Sequence, residues 1–202
     1  MDLITNLQKY TEYSLGKTKE KCSLIYQDVT INNIDFSPYD LNNSSFLEIT
    51  FNNCDFSKVY LSGASLCGSI FNQCIFLYNT FKKGNADYTE FISTEIKNLD
   101  SFRTSYNETS FQDVKIIESQ LERSYFDDSK FTNVTFINTN FIDCSFNNSK
   151  FNNVIFIGCH FEQTNFQNIM EVNNINFNNV SIKIEDRIKT NLNNEIRQYL
   201  NL

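Results

Sequence analysis

Few residues in this sequence could do covalent or acid–base chemistry. There is one histidine, His160, and there are six cysteines among 202 residues. A catalytic or zinc-binding histidine needs a second ligand or a carboxylate aimed at it, usually at short or fold-defined spacing. No second histidine exists, and no two cysteines stand in a CxxC pair or at zinc-finger spacing. The phosphate-cradling patterns GxGxxG and GxxxxGK(S/T) and the nucleophile elbow GxSxG are all missing. Carboxylates do occur near one another, but they need a dry cleft to separate their pKa values. The expectation is a protein that is not an enzyme and holds no catalytic residue, cofactor or metal.

Composition narrows the partners. Acids number 24 against 17 bases, for a net charge of −7. Residues 1–30 and 171–202 each carry four acids and four bases, so the middle holds the whole imbalance. Direct nucleic-acid binding needs a basic footprint, and an anionic membrane needs one too. Neither partner is expected, nor is a small-molecule substrate. The start, Met1-Asp2-Leu3-Ile4-Thr5-Asn6, has no basic stretch before an apolar one, and no apolar run is long enough to span a bilayer. A soluble cytoplasmic protein with reduced thiols is expected.

The elements that position these residues are set by a repeat. Every fifth residue from Ile31 to Phe166 gives 28 positions, of which 26 are Phe, Leu, Ile or Tyr; the exceptions are Ala86 and Ser101. Two residues before each centre stands a small or β-branched side chain, such as Cys54, Val59, Ala64, Cys74, Ser129, Val134, Cys144 or Cys159. The positions between are mostly Asn, Asp, Ser, Thr, Lys or Gln. A period of five is neither helical nor that of a simple strand. It buries every centre on one side only if the chain turns by a fixed angle per unit. Cysteines at the small position act as compact hydrophobes. His160 precedes the centre Phe161 and so points outward.

This unit resembles that of the pentapeptide-repeat family, with Phe in place of the usual Leu. The resemblance implies an all-β solenoid, a right-handed quadrilateral parallel β-helix with four pentapeptides per coil and here about eight coils. It also implies a bacterial protein. Residues 20 apart then stack at ~4.8 Å, so Asn33 with Asn53, and Asn133 with Asn153, fall in corner columns whose amides can form ladders. Residues 24–182 form the solenoid, with Tyr26 in frame before Ile31. A one-residue slip near 168–171 carries the frame to Val172, Phe177 and Ile182, with Met170, Ile175 and Val180 as small partners. Residues 82–105 read as irregular, with a turn or a small loop at Lys82-Lys83-Gly84-Asn85.

The ends need caps, because open solenoids expose strand edges. Residues 1–23 form an N-terminal cap, a short helix with Asp2 as N-cap and Leu3, Ile4 and Leu7 on one face. Residues 183–202 form a C-terminal α-helix, in which Ile184, Ile188, Leu192, Ile196 and Leu200 recur every four residues. Such a helix is either a cap or a dimer contact, and the resemblance implies dimers, because C-terminal elements dimerise several family members. At ~1.5 Å per residue it overhangs the tube, so a homodimer through apolar surface is expected. Two outer surfaces also stand out as candidate interaction sites. Ile117, Ile137 and Ile157 form an outward column with Ile155 beside it. Glu108 and Asp128 stack, with Asp127 adjacent. The function expected is a protein-interaction scaffold of unknown partner. The alternative, carried by the resemblance, is an acidic DNA mimic that protects a type II topoisomerase from quinolones.

Overall fold

The computed structural model describes residues 2–185, 187–190, 192, 196–200 and 202. It is a β-solenoid of about 8 turns, with mostly parallel strands and a short helix at each end. The repeat dictates this directly. Three-residue strands, each centred on a large side chain, pair in parallel with the strand 20 residues on, as Phe51 does with Phe71 and Leu121 with Phe141. Four columns of centres result. We name the first wall from Tyr26 to Phe166, the second from Ile31 to Phe151, the third from Phe36 to Phe156 and the fourth from Leu41 to Phe161.

Backbone pairing fixes the ring geometry. Because strands stack at ~4.8 Å, rings in one column lie parallel with centroids 4.5 Å apart for Phe36 and Phe56, and 4.8 Å for Phe126 and Phe146. Rings on adjacent walls meet edge to face, as Phe51 and Phe56 do at 83°. Both arrangements suit the aromatic quadrupole. The small positions serve the backbone. Thr89, Thr94, Thr109, Ser129 and Ser149 donate their hydroxyls to carbonyls 23 residues earlier, at 2.7–3.1 Å. Each corner turns at the residue two after the centre, where φ is positive. A β-turn reserves that position for Gly or Asn. Asn fills many of these corners, including Asn33, Asn53, Asn133 and Asn153. The only proline, Pro38, occupies a corner position and is the exception to the positive φ. Its ring locks φ negative.

The amide ladders form in part as expected. Asn153 donates to Asn133 at 2.9 Å and Asn133 to Asp113 at 2.8 Å. Near the N-terminus the ladder shifts by one residue: Asn72 donates to Asn52 and Asn52 to Asn32, at 3.1 and 2.8 Å.

Residues 82–105 do not form a loop. Strands through Thr80, Asp100 and Gln120 keep the 20-residue register. The small centres Ala86 and Ser101 are instead accommodated inside. Tyr106 fills the space beside Ser101, and its hydroxyl lies 3.1 Å from Ser101 Oγ, which is 3.0 Å from Ser124 Oγ. Burial pushes the Tyr106 hydroxyl well above its usual pKa. The Phe81 ring occupies the place where a Cβ on Gly84 would stand, 1.8 Å from its nearest atom. Only an apolar cavity of about 20 Å³ remains, between Leu61, Phe81, Phe91, Leu99 and Tyr106.

The frame slip near 168–171 is present: Lys150 pairs with Glu171, an offset of 21. Phe177 and Ile182 then point inward with Ile175 and Val180, but Val172 and Met170 are 36 % and 67 % exposed. Val172 still pairs with Phe151, so its exposure reflects its place at the open end of the column.

The N-terminal helix α1 spans Leu3–Ser14, and Asp2 caps it by accepting from Thr5 N at 2.9 Å. Leu7 and Tyr10, rather than Ile4, are buried against the first coil. The C-terminal helix α2 is shorter than expected, Ile196–Leu200. Strand Ser181–Ile184 continues the fourth wall and pairs antiparallel with Arg187–Lys189. The unpaired edge of the last coil recruits this segment as a strand, which periodicity alone had assigned to a helix. Leu192, Ile196 and Leu200 are buried over the open end of the tube, while Ile188 is 61 % exposed and Ile184 half-buried. The apolar stripe therefore does not overhang. Of the expected helix, residues 186, 191, 193–195 and 201 lie outside the described residues.

Two expectations follow from this core. Phe141→Ala should lower unfolding free energy by ~3–5 kcal/mol, because stacked backbones cannot collapse into the gap; a denaturant midpoint within error of wild type would contradict it. Cys54, Cys74, Cys144 and Cys159 are buried and form no disulfide, whereas Cys22 and Cys67 are half-buried. Burial pushes the Cys144 and Cys159 thiols up to about 12. The hydrogen bond to Cys54, then burial, raises Cys74 further. A thiol reagent at neutral pH should modify Cys22 first, Cys67 more slowly because burial and then the Asp87 and Glu48 charges raise its thiol, and the other four only on unfolding.

Candidate functional site: the outer walls

With the interior full, anything this protein binds must meet the outside. The outward positions flank each centre, and residues 20 apart align into columns. Four candidate surfaces can be built from them.

The isoleucine column lies on the third wall. Ile117 pairs with Ile137 and Ile137 with Ile157, while Ile155 pairs with Thr135 on the same wall. All four are half-buried. Leu77 is in the same column, but Lys97 stands between it and Ile117. The patch therefore spans three coils and ends at Asn178 beside Ile157.

The acidic residues gather more closely than the sequence reading had them. Glu108 and Asp128 stack at the corner between the first and second walls. Asp28 and Glu48 occupy the same corner in earlier coils. The hydrogen bond to Asp28, and its charge, push the Glu48 carboxyl above its usual range. Tyr88 lies between, its hydroxyl hydrogen-bonded to Glu108 and raised in pKa for that reason. Asp87 and Asp127 occupy the adjacent outward column of the first wall. Asp127 is structural: it accepts from Asn147 N at 2.7 Å and from the Ser145 hydroxyl. Asp87 does the same for Asn107 N at 2.8 Å. No lysine or arginine occupies the outward positions of this wall or this corner.

The opposite edge of the first wall is cationic, which the sequence reading missed. Lys83, Arg103 and Arg123 are 20 apart and stack at the corner between the fourth and first walls. Their spacing was the available signal. Phe102 organises them. Of the 20 phenylalanines it is the one outside the core, and the guanidiniums of Arg103 and Arg123 lie 5.0 and 5.9 Å from its ring centroid. Such cation–π contacts hold the guanidiniums in place. Arg123 also reaches Asp143 at 3.3 Å.

The fourth wall brings His160 to new neighbours. Its Nδ1 lies 2.8 Å from Ser181 Oγ, and its Nε2 lies 4.0 Å from Glu162, which is paired with Lys183 at 2.7 Å. Hydroxyl, imidazole and carboxylate thus meet on a flat surface. Acyl transfer would also need amide donors for an oxyanion. The amides of Ser181 and His160 are instead bonded to Cys159 O and Thr139 O.

Concavities are shallow. One of about 250 Å³ lies between α1 and the Thr18–Cys22 segment, lined by Asn6, Lys9, Glu12 and Lys21. A wider open groove of about 730 Å³ runs past Tyr60, Gly63, Lys82 and Phe102. Among the described residues no three metal-ligating side chains converge, and no helix is long and apolar enough to cross a membrane.

Comparison with known proteins adds the type of repeat. No curated protein matches the chain. Solved structures with a similar architecture include HetL, a pentapeptide repeat protein involved in heterocyst differentiation regulation from the cyanobacterium Nostoc sp. strain PCC 7120. It is 9 % identical with a TM-score of 0.43, over 94 % of this chain and 100 % of that one. The pentapeptide repeat protein Rfr23 from the cyanobacterium Cyanothece 51142 is 12 % identical with a TM-score of 0.37, over 86 % and 98 %. The plasmid-mediated fluoroquinolone resistance protein QnrB1 is 14 % identical with a TM-score of 0.26, over 76 % and 93 %. The sequence profile for pentapeptide repeats matches eight copies over residues 40–73 and 129–168. The same five-residue unit runs unbroken between those segments, through one continuous register of stacked coils, so the chain carries pentapeptide repeats along the solenoid.

Proposed function

We propose that this protein is a non-enzymatic scaffold whose outer walls present fixed columns of side chains to a protein partner. The observation that carries this reading is the disposition of its polar groups. Backbone amides are spent on the inter-coil ladders, and the small-position hydroxyls bond to carbonyls. What remains outside is a regular grid with a ~4.8 Å vertical repeat. A grid of this kind suits recognition of an extended surface better than enclosure of a substrate. The net charge of −7 favours a protein partner over nucleic acid. Contiguous exposed apolar area usually marks contact, so the column Ile117, Ile137 and Ile157 with Ile155 is the first candidate footprint, and the Glu108–Asp128 corner the second.

The acidic corner also favours a second reading, imitation of a DNA phosphate backbone toward a type II topoisomerase. Asp28, Glu48, Glu108 and Asp128 share one column. The cationic column across the same wall breaks up that field, so the scaffold reading is the stronger.

One experiment separates the two. Wild type, Ile137→Glu with Ile157→Glu, and Glu108→Lys with Asp128→Lys are compared at equal thermal stability. A partner captured from the native cell and released by the isoleucine changes alone supports the scaffold reading. Capture that is indifferent to both pairs of changes removes both footprints. In a gyrase supercoiling assay with a quinolone, the scaffold reading expects no protection by wild type. Protection that is lost with Glu108→Lys and Asp128→Lys would establish the mimic instead.

A further inference from the structure

The first wall carries unpaired charge of both signs on its two edges. On the fourth-wall side stand Lys83, Arg103 and Arg123; on the second-wall side stand Glu108 and Asp128, preceded by Tyr88. On the other walls three lysines find intrachain partners: Lys82 with Asp100 at 2.6 Å, Lys97 with Glu118 at 3.5 Å and Lys183 with Glu162 at 2.7 Å. Among the described residues, Lys83, Arg103, Glu108 and Asp128 form no ion pair. Arg123 has only the half-exposed contact to Asp143. The Phe102 ring holds the two guanidiniums over the edge of the rod.

The heights of these charges agree. Arg103 and Glu108 are five residues apart in one coil, as are Arg123 and Asp128 in the next. A quarter of a coil displaces the chain along the axis by only ~1.2 Å at the ~4.8 Å coil spacing. Between the two edges run two outward columns: Ser65, Asn85, Ser105, Tyr125 and Ser145, joined by parallel bridges, and Cys67, Asp87, Asn107, Asp127 and Asn147, whose carboxylates are held by the next coil. Apart from Tyr125 these side chains are short, so a flat surface can approach closely.

The geometry points to a second copy of this chain as the partner of the first wall, related by a two-fold axis parallel to the solenoid. That operation lays the cationic edge of one rod along the acidic edge of the other at the same height, and does so twice. Arg103 meets Glu108 of the second copy, and Arg123 meets Asp128 of the second copy. A two-fold axis across the rods would instead set like charges against each other. A polyanion would find its cationic strip bordered by carboxylates. The interface is isologous, as a closed dimer requires. Exposed ion pairs are individually weak and salt-screened, so the dimer is electrostatic and reversible. It differs from the apolar association expected of the C-terminal segment, whose Ile196 and Leu200 are already covered by their own chain.

Sedimentation velocity of the full chain at tens of micromolar tests this. Wild type should be dimeric in low salt and should weaken at least ~10-fold toward 1 M salt, where the screening length falls to ~3 Å. Arg103→Glu with Arg123→Glu should be monomeric, and so should Glu108→Arg with Asp128→Arg. Mixing these two variants should give a heterodimer, and combining all four changes in one chain should restore the homodimer. The salt dependence of wild type stands even if a variant fails to fold, which circular dichroism would reveal. A wild type that is monomeric in low salt overturns the proposal. So does a dimer that survives both charge reversals.

Discussion

Everything in this molecule depends on the requirement that each short strand find its hydrogen-bond partners in the coils above and below. No wall is wider than one pentapeptide, so the ladders run along the rod and never across it. This sets one interior slot per wall and coil for a large side chain and one for a small side chain. Phenylalanine fits the large slot because the ~4.8 Å strand spacing is close to a comfortable ring-stacking distance. The stacked pairs Phe71–Phe91 and Phe131–Phe151, at 5.2 and 5.1 Å, follow from backbone pairing. The same constraint forces a corner every five residues. Corners without glycine carry left-handed strain, tolerated by Tyr78, Arg103 and Glu118 as well as by Asn. The amide at such a corner bonds to the next coil, as Arg103 N does to Glu122 O at 3.0 Å.

Where the repeat departs from its rule, the compensation is local. Ser101 leaves a gap in the fourth wall that Tyr106 from the first wall closes; its phenol bonds to the Ser101 hydroxyl, which bonds in turn to the Ser124 hydroxyl. Gly84 makes room for the tilted ring of Phe81. The register is unaffected because the ladders do not depend on which side chain occupies a slot. A rod built this way keeps its outer positions in line even where its core is irregular. Outer residues 20 apart in sequence become neighbours, and charge or apolar character can accumulate in columns.

The columns also explain why the chemistry is on the outside and dispersed. Asp87 and Asp127 are spent on the backbone of the following coil, whereas Glu108 and Asp128, one residue further round the corner, are not. Position within the pentapeptide therefore separates a structural carboxylate from an available one. Lys83, Arg103 and Arg123 share the corresponding position one wall earlier, so the two charged edges belong to one surface.

Much of this was legible in the sequence. The five-residue period determined the solenoid, the inward centres, the thiol positions and the frame slip near 168–171, because a periodic backbone leaves little choice in where a side chain points. Stacking of Ile117, Ile137 and Ile157, and of Glu108 on Asp128, followed from the same 20-residue step. Three things were decided only in the tertiary structure. Residues 82–105 stayed in register because neighbouring coils hold the backbone whatever the centre. Ser181–Ile184 and Arg187–Lys189 became paired antiparallel strands because the last coil offered an open edge, and that attraction outweighs helical periodicity in a short segment. Val172 and Met170 stayed exposed because no further coil stacks on that end of the second wall. The duties of Asp127, and the pairing of Phe102 with two arginines, depend on side-chain directions across coils, which spacing alone does not carry.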